Sequence, residues 1–282
     1  MENKLKIWLS LLISFILFTS CKVQEEGPKS QGGSAFNFDP GKYPVRWNPA
    51  VFPLKVKVAA GVQNILEAKD FDLSGHSLYD LEMKQWNDAH SFHQFFEIPA
   101  ETSSDIDSTS LDSYKDGTIA IYKNTNWFPI VSGNALAITQ IYGVRKNIGF
   151  SDEYIELTHA DIIVNFDRFA FNLDPNSLSD YDLPSVLLHE LGHLLGLPHE
   201  KDYSRPSVMH KYFGTFDTIR DLFDVDKEAI LKNYEPQALS VYEGQKGIIG
   251  ASSYPRYEEP VRGVIEMMAD GSCSDLKILS SH

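Results

Sequence analysis

The chain has 282 residues, of which 43% are hydrophobic, and this is enough for one sizeable core or for one core and a small appendage. Its formal net charge is -14, and no basic stripe interleaved with aromatic residues occurs along it. A phosphate backbone would be repelled by such a protein, so we expect no nucleic acid partner. A monomer is the default expectation.

The N-terminal segment has the features of an export signal. Lys4 and Lys6 precede an apolar run over residues 7–18, which is too short to span a bilayer comfortably. Small polar residues then lead to Cys21, an arrangement that resembles a bacterial lipoprotein signal, although Phe18 stands where that family more often has leucine. The resemblance implies a lipidated Cys21 and an exported protein anchored in the membrane of the bacterial cell envelope, on its periplasmic or surface face. An ordinary cleaved signal or an uncleaved anchor is the alternative.

Composition divides the chain into four regions. Residues 1–21 are the predicted signal, and residues 22–40, rich in Gln, Glu, Gly, Pro, Lys and Ser, are predicted to be a flexible linker. Residues 41–236 are predicted to form the folded domain, and residues 237–282 are a C-terminal extension of unknown role. If Cys21 is lipidated, only one cysteine is left, so no intramolecular disulfide is expected.

The first predicted elements of the folded domain are a strand and a helix. Alternation of apolar and polar residues predicts a strand over Leu54–Val58, and apolar residues three to four apart predict a helix over Leu78–Phe96. His90 and His93 lie on or near the apolar stripe of that helix. Such a pair can bind a metal, but packed or surface histidines are favoured, because no third ligand is near in sequence.

Three further strands and a second helix follow. The strands, rich in Ile, Val, Thr or Tyr, are predicted over residues 118–122, 135–144 and 161–166. Residues 169–181 have the composition of a loop. A helix is then predicted to begin near Asp182, a good capping residue, because Pro184 is tolerated in a first turn.

That helix carries the sequence His-Glu-Leu-Gly-His-Leu-Leu-Gly-Leu-Pro-His over residues 189–199. His189 and His193 are four residues apart, so their imidazoles lie on one helix face and can bind a single zinc ion. Gly196 stands where a residue in left-handed conformation can end the helix, and the turn can bring His199 back as third ligand. A fourth position is left open, which distinguishes a catalytic zinc from a structural one.

Glu190 directly follows the first of these histidines and would flank the metal without binding it. There it can accept the proton of a zinc-bound water and pass it to a leaving amine. Three histidines, a glutamate and a glycine would occur at these spacings by chance on the order of once in ten thousand sequences or less. The pattern therefore predicts a zinc hydrolase with Glu190 as general base.

The motif at 189–199, followed ten residues later by Met209, resembles the metzincin clan of metallopeptidases, closest to its matrixin branch. The resemblance implies an α+β, zincin-like fold for residues 41–236, with a twisted mixed sheet of about five strands, an active-site helix and a methionine turn. It also implies one catalytic zinc ion, a peptide or protein substrate, and Met209 as a support beneath the histidines. A structural calcium ion is an open alternative for which the sequence has no specific motif.

The same resemblance assigns roles to neighbouring segments. The strand at 135–142 would be the sheet edge that pairs with an extended substrate, and residues 224–234 would be the closing helix. Tyr212 would be a wall of the substrate pocket or a weak further metal ligand. Residues 22–39 are too short for a matrixin prodomain and contain no latency cysteine, so the sequence does not indicate how activity is restrained.

Two other functions compete with a secreted zinc metalloendopeptidase. A surface lipoprotein with little or no protease activity could use the metzincin scaffold to bind a partner, and the unmatched extension at 237–282 favours this alternative. A purely structural zinc would need a fourth protein ligand, for which His210 is the only nearby candidate. The intact general base, Glu190, favours the peptidase.

Overall fold

A computed structural model describes residues 43–177, 179–210, 213–235, 258–269 and 274–278, the last of these as backbone. The predicted signal with Cys21, the predicted linker and Tyr212 therefore lie outside the described residues. Within the described part of the chain, no helix has both the length and the apolar character needed to cross a membrane.

The described residues form ten strands and four α-helices. The strands are β1 (Val45–Trp47), β2 (Lys57–Ala59), β3 (Thr102–Ser103), β4 (Ala120–Asn124), β5 (Ala135–Lys146), β6 (Tyr154–Asn165), β7 (Phe171–Asn172), β8 (Tyr181–Asp182), β9 (Glu259–Met268) and β10 (Ser274–Ile278). The helices are α1 (Ala60–Gln63), α2 (Leu78–Asp88), α3 (Leu183–Leu194) and α4 (Asp224–Asn233).

Eight strands form one mixed sheet in the order β10-β9-β5-β6-β4-β2-β3, and β1 pairs with β6 beside this path. The strands β1, β2, β3 and β4 pair in parallel, whereas β5 is antiparallel to both of its neighbours. The predicted α+β class with a mixed sheet is thus confirmed. The sheet exceeds the expected five or so strands, mainly because β9 and β10 of the C-terminal extension lengthen it.

The prediction that β5 is an open sheet edge is wrong. Strand β9 pairs with it antiparallel over nearly its whole length, from Ala135 opposite Met268 to Arg145 opposite Glu259. The physical reason is that β9 is apolar on both faces: Val264 belongs to one hydrophobic cluster of the protein and Ile265 to the other. A strand that can pack on both faces is stable inside a sheet rather than in solvent.

The two hydrophobic clusters lie on opposite faces of the sheet. In β6, Ile162 and Val164 belong to the larger cluster, which includes Leu187 of α3, whereas Ile163 belongs to the smaller one. Successive side chains of a strand point to opposite faces, so α3 packs on one face only. This packing places the predicted metal ligands of α3 above β5 and β6.

Helix α2 is shorter than the sequence predicts, since it ends at Asp88 and not near Phe96. The side chain of Asn87 accepts a hydrogen bond from the Phe96 backbone N–H (2.8 Å) and donates one to its carbonyl oxygen (2.9 Å). These two bonds hold the chain in a turn back toward the helix, where helical hydrogen bonds cannot continue.

His90 and His93 lie beyond the helix end and stack on each other with ring centroids 4.9 Å apart. Both rings also contact the buried ring of Phe95. Among the described residues neither histidine belongs to a group of three metal-ligating side chains. The packing interpretation of this pair is therefore the one that the structure supports.

A buried acid lies on the sheet face opposite α3. Asp161 is fully buried, accepts a hydrogen bond from the Ala120 N–H (3.2 Å) and lies 2.7 Å from His159 Nε2. Burial raises the pKa of Asp161 to about 6, although the His159 contact acts in the opposite direction. Between pH 4 and pH 6 the folded protein therefore holds a proton that the unfolded chain has released, so folding stability falls as pH rises through this interval.

Replacing Asp161 with asparagine should remove this pH dependence. We expect the free energy of unfolding of Asp161→Asn, relative to the wild type, to increase from pH 4 to pH 6 by up to about 3 kcal/mol. Urea unfolding of both proteins at several pH values measures the difference, and effects common to both cancel. A difference independent of pH would show that the acid keeps an ordinary pKa in the folded protein.

Candidate metal centre

Helix α3 begins at Leu183, as the sequence predicts, because Asp182 caps it. The Asp182 carboxylate accepts a hydrogen bond from the Ser185 N–H (3.1 Å), and Arg220 Nε donates to the same carboxylate (3.0 Å). All twelve residues of the helix are buried. The helix is therefore fixed at its start and enclosed along its length, which holds its side chains in defined positions.

The helix ends in a turn built on Gly196. The Leu197 N–H donates to the Gly192 carbonyl (3.0 Å) and the Gly196 N–H to the His193 carbonyl (2.8 Å), which is the Schellman pattern. Gly196 has φ +88°, in the left-handed region that favours glycine. This turn, which the sequence predicts, reverses the chain so that His199 returns to the helix face carrying the other two histidines.

His189, His193 and His199 converge in the folded protein. The nitrogen atoms available as ligands all lie within 4.8 Å of one another. Among the described residues, these three side chains form the one group large enough to hold a metal ion. The Nε2 atoms of His193 and His199 are 3.0 Å apart, near the separation of about 3.3 Å expected for two nitrogens on one tetrahedral zinc. The structure thus brings together all three predicted ligands.

Backbone carbonyls orient two of these imidazoles. Nδ1 of His189 lies 2.7 Å from the Val208 carbonyl oxygen, and Nδ1 of His193 lies 2.8 Å from that of Leu197. A carbonyl only accepts hydrogen bonds, so each Nδ1 carries the proton and each Nε2 presents a lone pair. Burial lowers the pKa of His189 to about 3 and holds that of His193 well below its usual value, so both rings are neutral.

This arrangement fits a divalent metal ion. Nε2 of His189 and Nε2 of His193 each present a lone pair, and a cation shared between them would be attracted by both. Moreover, His189 Nε2 is buried and has no hydrogen-bond partner among the described residues. An unpaired buried nitrogen costs free energy unless a bound ligand interacts with it. Three imidazole nitrogens are a donor set that suits zinc.

Glu190 lies beside this group and is fully buried. The Thr139 hydroxyl of β5 donates to Glu190 Oε2 (2.5 Å), while Oε1 is buried and has no hydrogen-bond partner in the described part of the chain. Burial raises the pKa of Glu190 to about 8, and the Thr139 hydrogen bond opposes this shift. One oxygen is therefore anchored, and the other is available to take a proton.

Met209 packs directly beneath the helix. It is 2% exposed, and its sulfur lies so close to Gly192 that a Cβ on Gly192 would overlap it and would also lie 3.0 Å from Trp86 Cζ2. Only a glycine at this position of α3 allows so close a contact. Met209 is thus placed as the packing residue that the sequence predicts.

Asp226 of α4 anchors the turn that contains Met209, and sequence reasoning missed it. Its buried carboxylate accepts hydrogen bonds from the Ser207 hydroxyl (2.5 Å) and the Val208 N–H (3.0 Å). Val208 in turn orients His189 through its carbonyl oxygen. Aspartate is common in the first turn of a helix, so the sequence carries no signal that separates this role from ordinary helix capping.

Thr139 was also missed, although a weak signal exists. It is a polar residue between Ala137 and Ile141, both of which face the larger hydrophobic cluster. A buried hydroxyl on such a face needs a hydrogen-bond partner, but the sequence does not indicate that the partner is Glu190.

His210 does not join the three histidines. Its Nε2 lies 2.6 Å from the Arg205 carbonyl oxygen, and its ring stacks on Tyr203 with centroids 5.0 Å apart. Within the described residues the group contains three histidines and no fourth ligand. A purely structural zinc closed by His210 is therefore disfavoured.

Comparison with known families agrees with this geometry. The family model of the matrixins (peptidase family M10) matches residues 82–235, more than half of the 282-residue chain. The matched segment includes α3, the three histidines, Glu190 and Met209. A search of curated proteins finds no match. The chain therefore belongs to the matrixin family, a family of the zinc metallopeptidase type.

Proposed function

We propose that this protein is a zinc-dependent endopeptidase that hydrolyses peptide bonds of extended protein substrates. The observation that carries the proposal is a buried glutamate with one unpartnered oxygen, beside three converging imidazoles whose nitrogens fit a metal ion. Membership of the matrixin family supports the same class of reaction.

Each residue of the centre has a defined task in this proposal. His189, His193 and His199 would hold the ion, and zinc in such a site supplies a Lewis acid that polarises a carbonyl group and makes water more acidic. Glu190 would take a proton from the attacking water at its free oxygen and deliver it to the leaving amine nitrogen. Thr139 keeps the other oxygen in place, so the carboxylate does not have to reorganise during the reaction.

The first experiment measures zinc content and cleavage of a quenched peptide library by residues 22–282. We expect one zinc per chain, and cleavage that stops when a chelator removes the metal and returns when zinc is added back. Bound zinc without any cleavage, both by this chain and by a variant in which β9 is released from β5, would contradict the proposal and would favour a surface lipoprotein that uses this scaffold to bind a partner.

Thr139 offers a finer test of the proposed mechanism. Thr139→Val removes the hydroxyl at nearly constant shape, and loss of the hydrogen bond that holds the Glu190 carboxyl group in place should lower kcat by about 10- to 100-fold with little change in KM. Thr139→Ser keeps the donor and should retain most of the activity. Steady-state kinetics of both variants, with zinc content as control, show whether the Thr139 hydroxyl contributes to catalysis. Equal loss of activity in the two variants would indicate that Thr139 acts through packing alone.

A further inference from the structure

We propose that β9 occupies the sheet edge on which an extended substrate would pair, so that the full-length chain is latent until β9 moves away. The inference rests on the proposed peptidase function. It identifies the C-terminal segment as the element that restrains activity.

The first step concerns β5, which is the strand beside the proposed general base. Thr139, near the middle of β5, contacts Glu190 directly. An extended peptide obtains regular backbone hydrogen bonds when it adds to the edge of a sheet. The side of β5 away from β6 is the edge that would place such a peptide next to Glu190.

The second step is that β9 already fills this position. Ile265 lies directly opposite Thr139 in the register, and Met267 lies opposite Ala137. Both β9 side chains belong to the larger hydrophobic cluster, on the same sheet face as α3. Apolar side chains of β9 thus lie on the sheet face that carries Thr139, the hydrogen-bond partner of Glu190, and Glu190 is fully buried.

The third step concerns the contacts that hold the start of β9, which are ionic and partly exposed. Lys146 Nζ lies 2.7 Å from a Glu258 oxygen, and Arg262 lies 2.5 Å from a carboxylate oxygen of Asp112. Arg262 also lies over the ring of Tyr142, on the sheet face opposite α3. These contacts can therefore be changed without touching the metal centre.

The opening experiment uses the full-length, zinc-loaded chain. Arg262→Glu combined with Glu258→Lys reverses both contacts, and we expect peptide cleavage to rise by roughly tenfold, because activity follows the fraction of molecules in the open state. Lys57→Glu is the matched control. Lys57 lies on β2, away from β9, and its replacement breaks an exposed ion pair with Glu101 (2.9 Å), so cleavage should be unchanged.

A second opening variant, Val264→Asp, places a charge in the smaller hydrophobic cluster and should release β9 more fully. Amide hydrogen exchange of β9 reports the release in each variant. If exchange shows that β9 is released and cleavage does not increase, the latency proposal is overturned.

The converse experiment locks β9 in place. Val144 and Pro260 are paired across β5 and β9, and paired residues of antiparallel strands have Cα atoms about 4.5–5.5 Å apart, within the range for a disulfide. Val144→Cys with Pro260→Cys, in a chain carrying Cys273→Ser, should cleave less when oxidised than when reduced. Equal activity of the two forms would count against the proposal.

The outcomes separate this inference from the proposed function. Equal cleavage by the wild-type, opened and locked chains, lost in each with Glu190→Gln, would overturn latency and leave the peptidase standing. No cleavage by any form with zinc bound would overturn both. Higher activity on opening and lower activity on locking, at constant zinc content, would support β9 as the internal occupant of the substrate edge.

Discussion

Replacing Glu190 with glutamine should lower kcat for peptide hydrolysis by about 10²- to 10⁴-fold while leaving one zinc ion per chain. Glutamine has nearly the same shape, and its amide oxygen can still accept the hydrogen bond that Thr139 donates in the wild type. It cannot take up and release a proton, so only the proton transfer is lost. Kinetics on a quenched peptide and metal analysis of the same sample test both halves of the expectation.

Glu200→Gln is the matched control for this variant. Glu200 also directly follows one of the three converging histidines, but its Oε1 accepts a hydrogen bond from the Asp202 N–H (2.8 Å). It is only partly buried. We expect its replacement to leave kcat within a few-fold of the wild type. Wild-type hydrolysis by Glu190→Gln would remove Glu190 from the mechanism.

Replacing Gly196 with alanine should destabilise the protein by roughly 3 kcal/mol or more and weaken zinc binding. Two costs add up. A side chain at φ +88° is strained, and the new Cβ would lie 2.1 Å from the Val45 carbonyl oxygen. That oxygen belongs to β1, which is paired with β6 and cannot yield as the end of a flexible side chain could. His199 follows three residues later, so any shift of the turn displaces one of the three proposed metal ligands.

Gly75→Ala isolates the first of these costs. Gly75 has φ +84°, and no atom lies within 4 Å of the position that a Cβ would take. The free energy of unfolding of Gly75→Ala should therefore fall by only about 1–2 kcal/mol, because of backbone strain. Urea unfolding of both variants and a competition assay for zinc affinity measure the difference. Equal losses of stability in the two variants would show that the close approach to Val45 does not contribute to the destabilisation of Gly196→Ala.

Local sequence was sufficient for the centre of the site. The spacing of His189 and His193 on one helix face, and the glycine that ends the helix before His199, depend on interactions within about ten residues. The capped start of α3 at Asp182 is local for the same reason. These features could therefore be predicted before the rest of the fold was known, and the matrixin match agrees with them.

Tertiary structure decided what lies around that centre. Thr139 reaches Glu190 across 51 positions of sequence, and Asp226 reaches Ser207 across 19. Strand β9 joins β5 from beyond residue 258. Strand pairing and buried hydrogen bonds depend on which segments meet in space, and a periodic pattern does not specify its partner. The sequence thus predicted the three histidines and the glutamate of the proposed centre, whereas the fold decided how they are oriented and which strand covers β5.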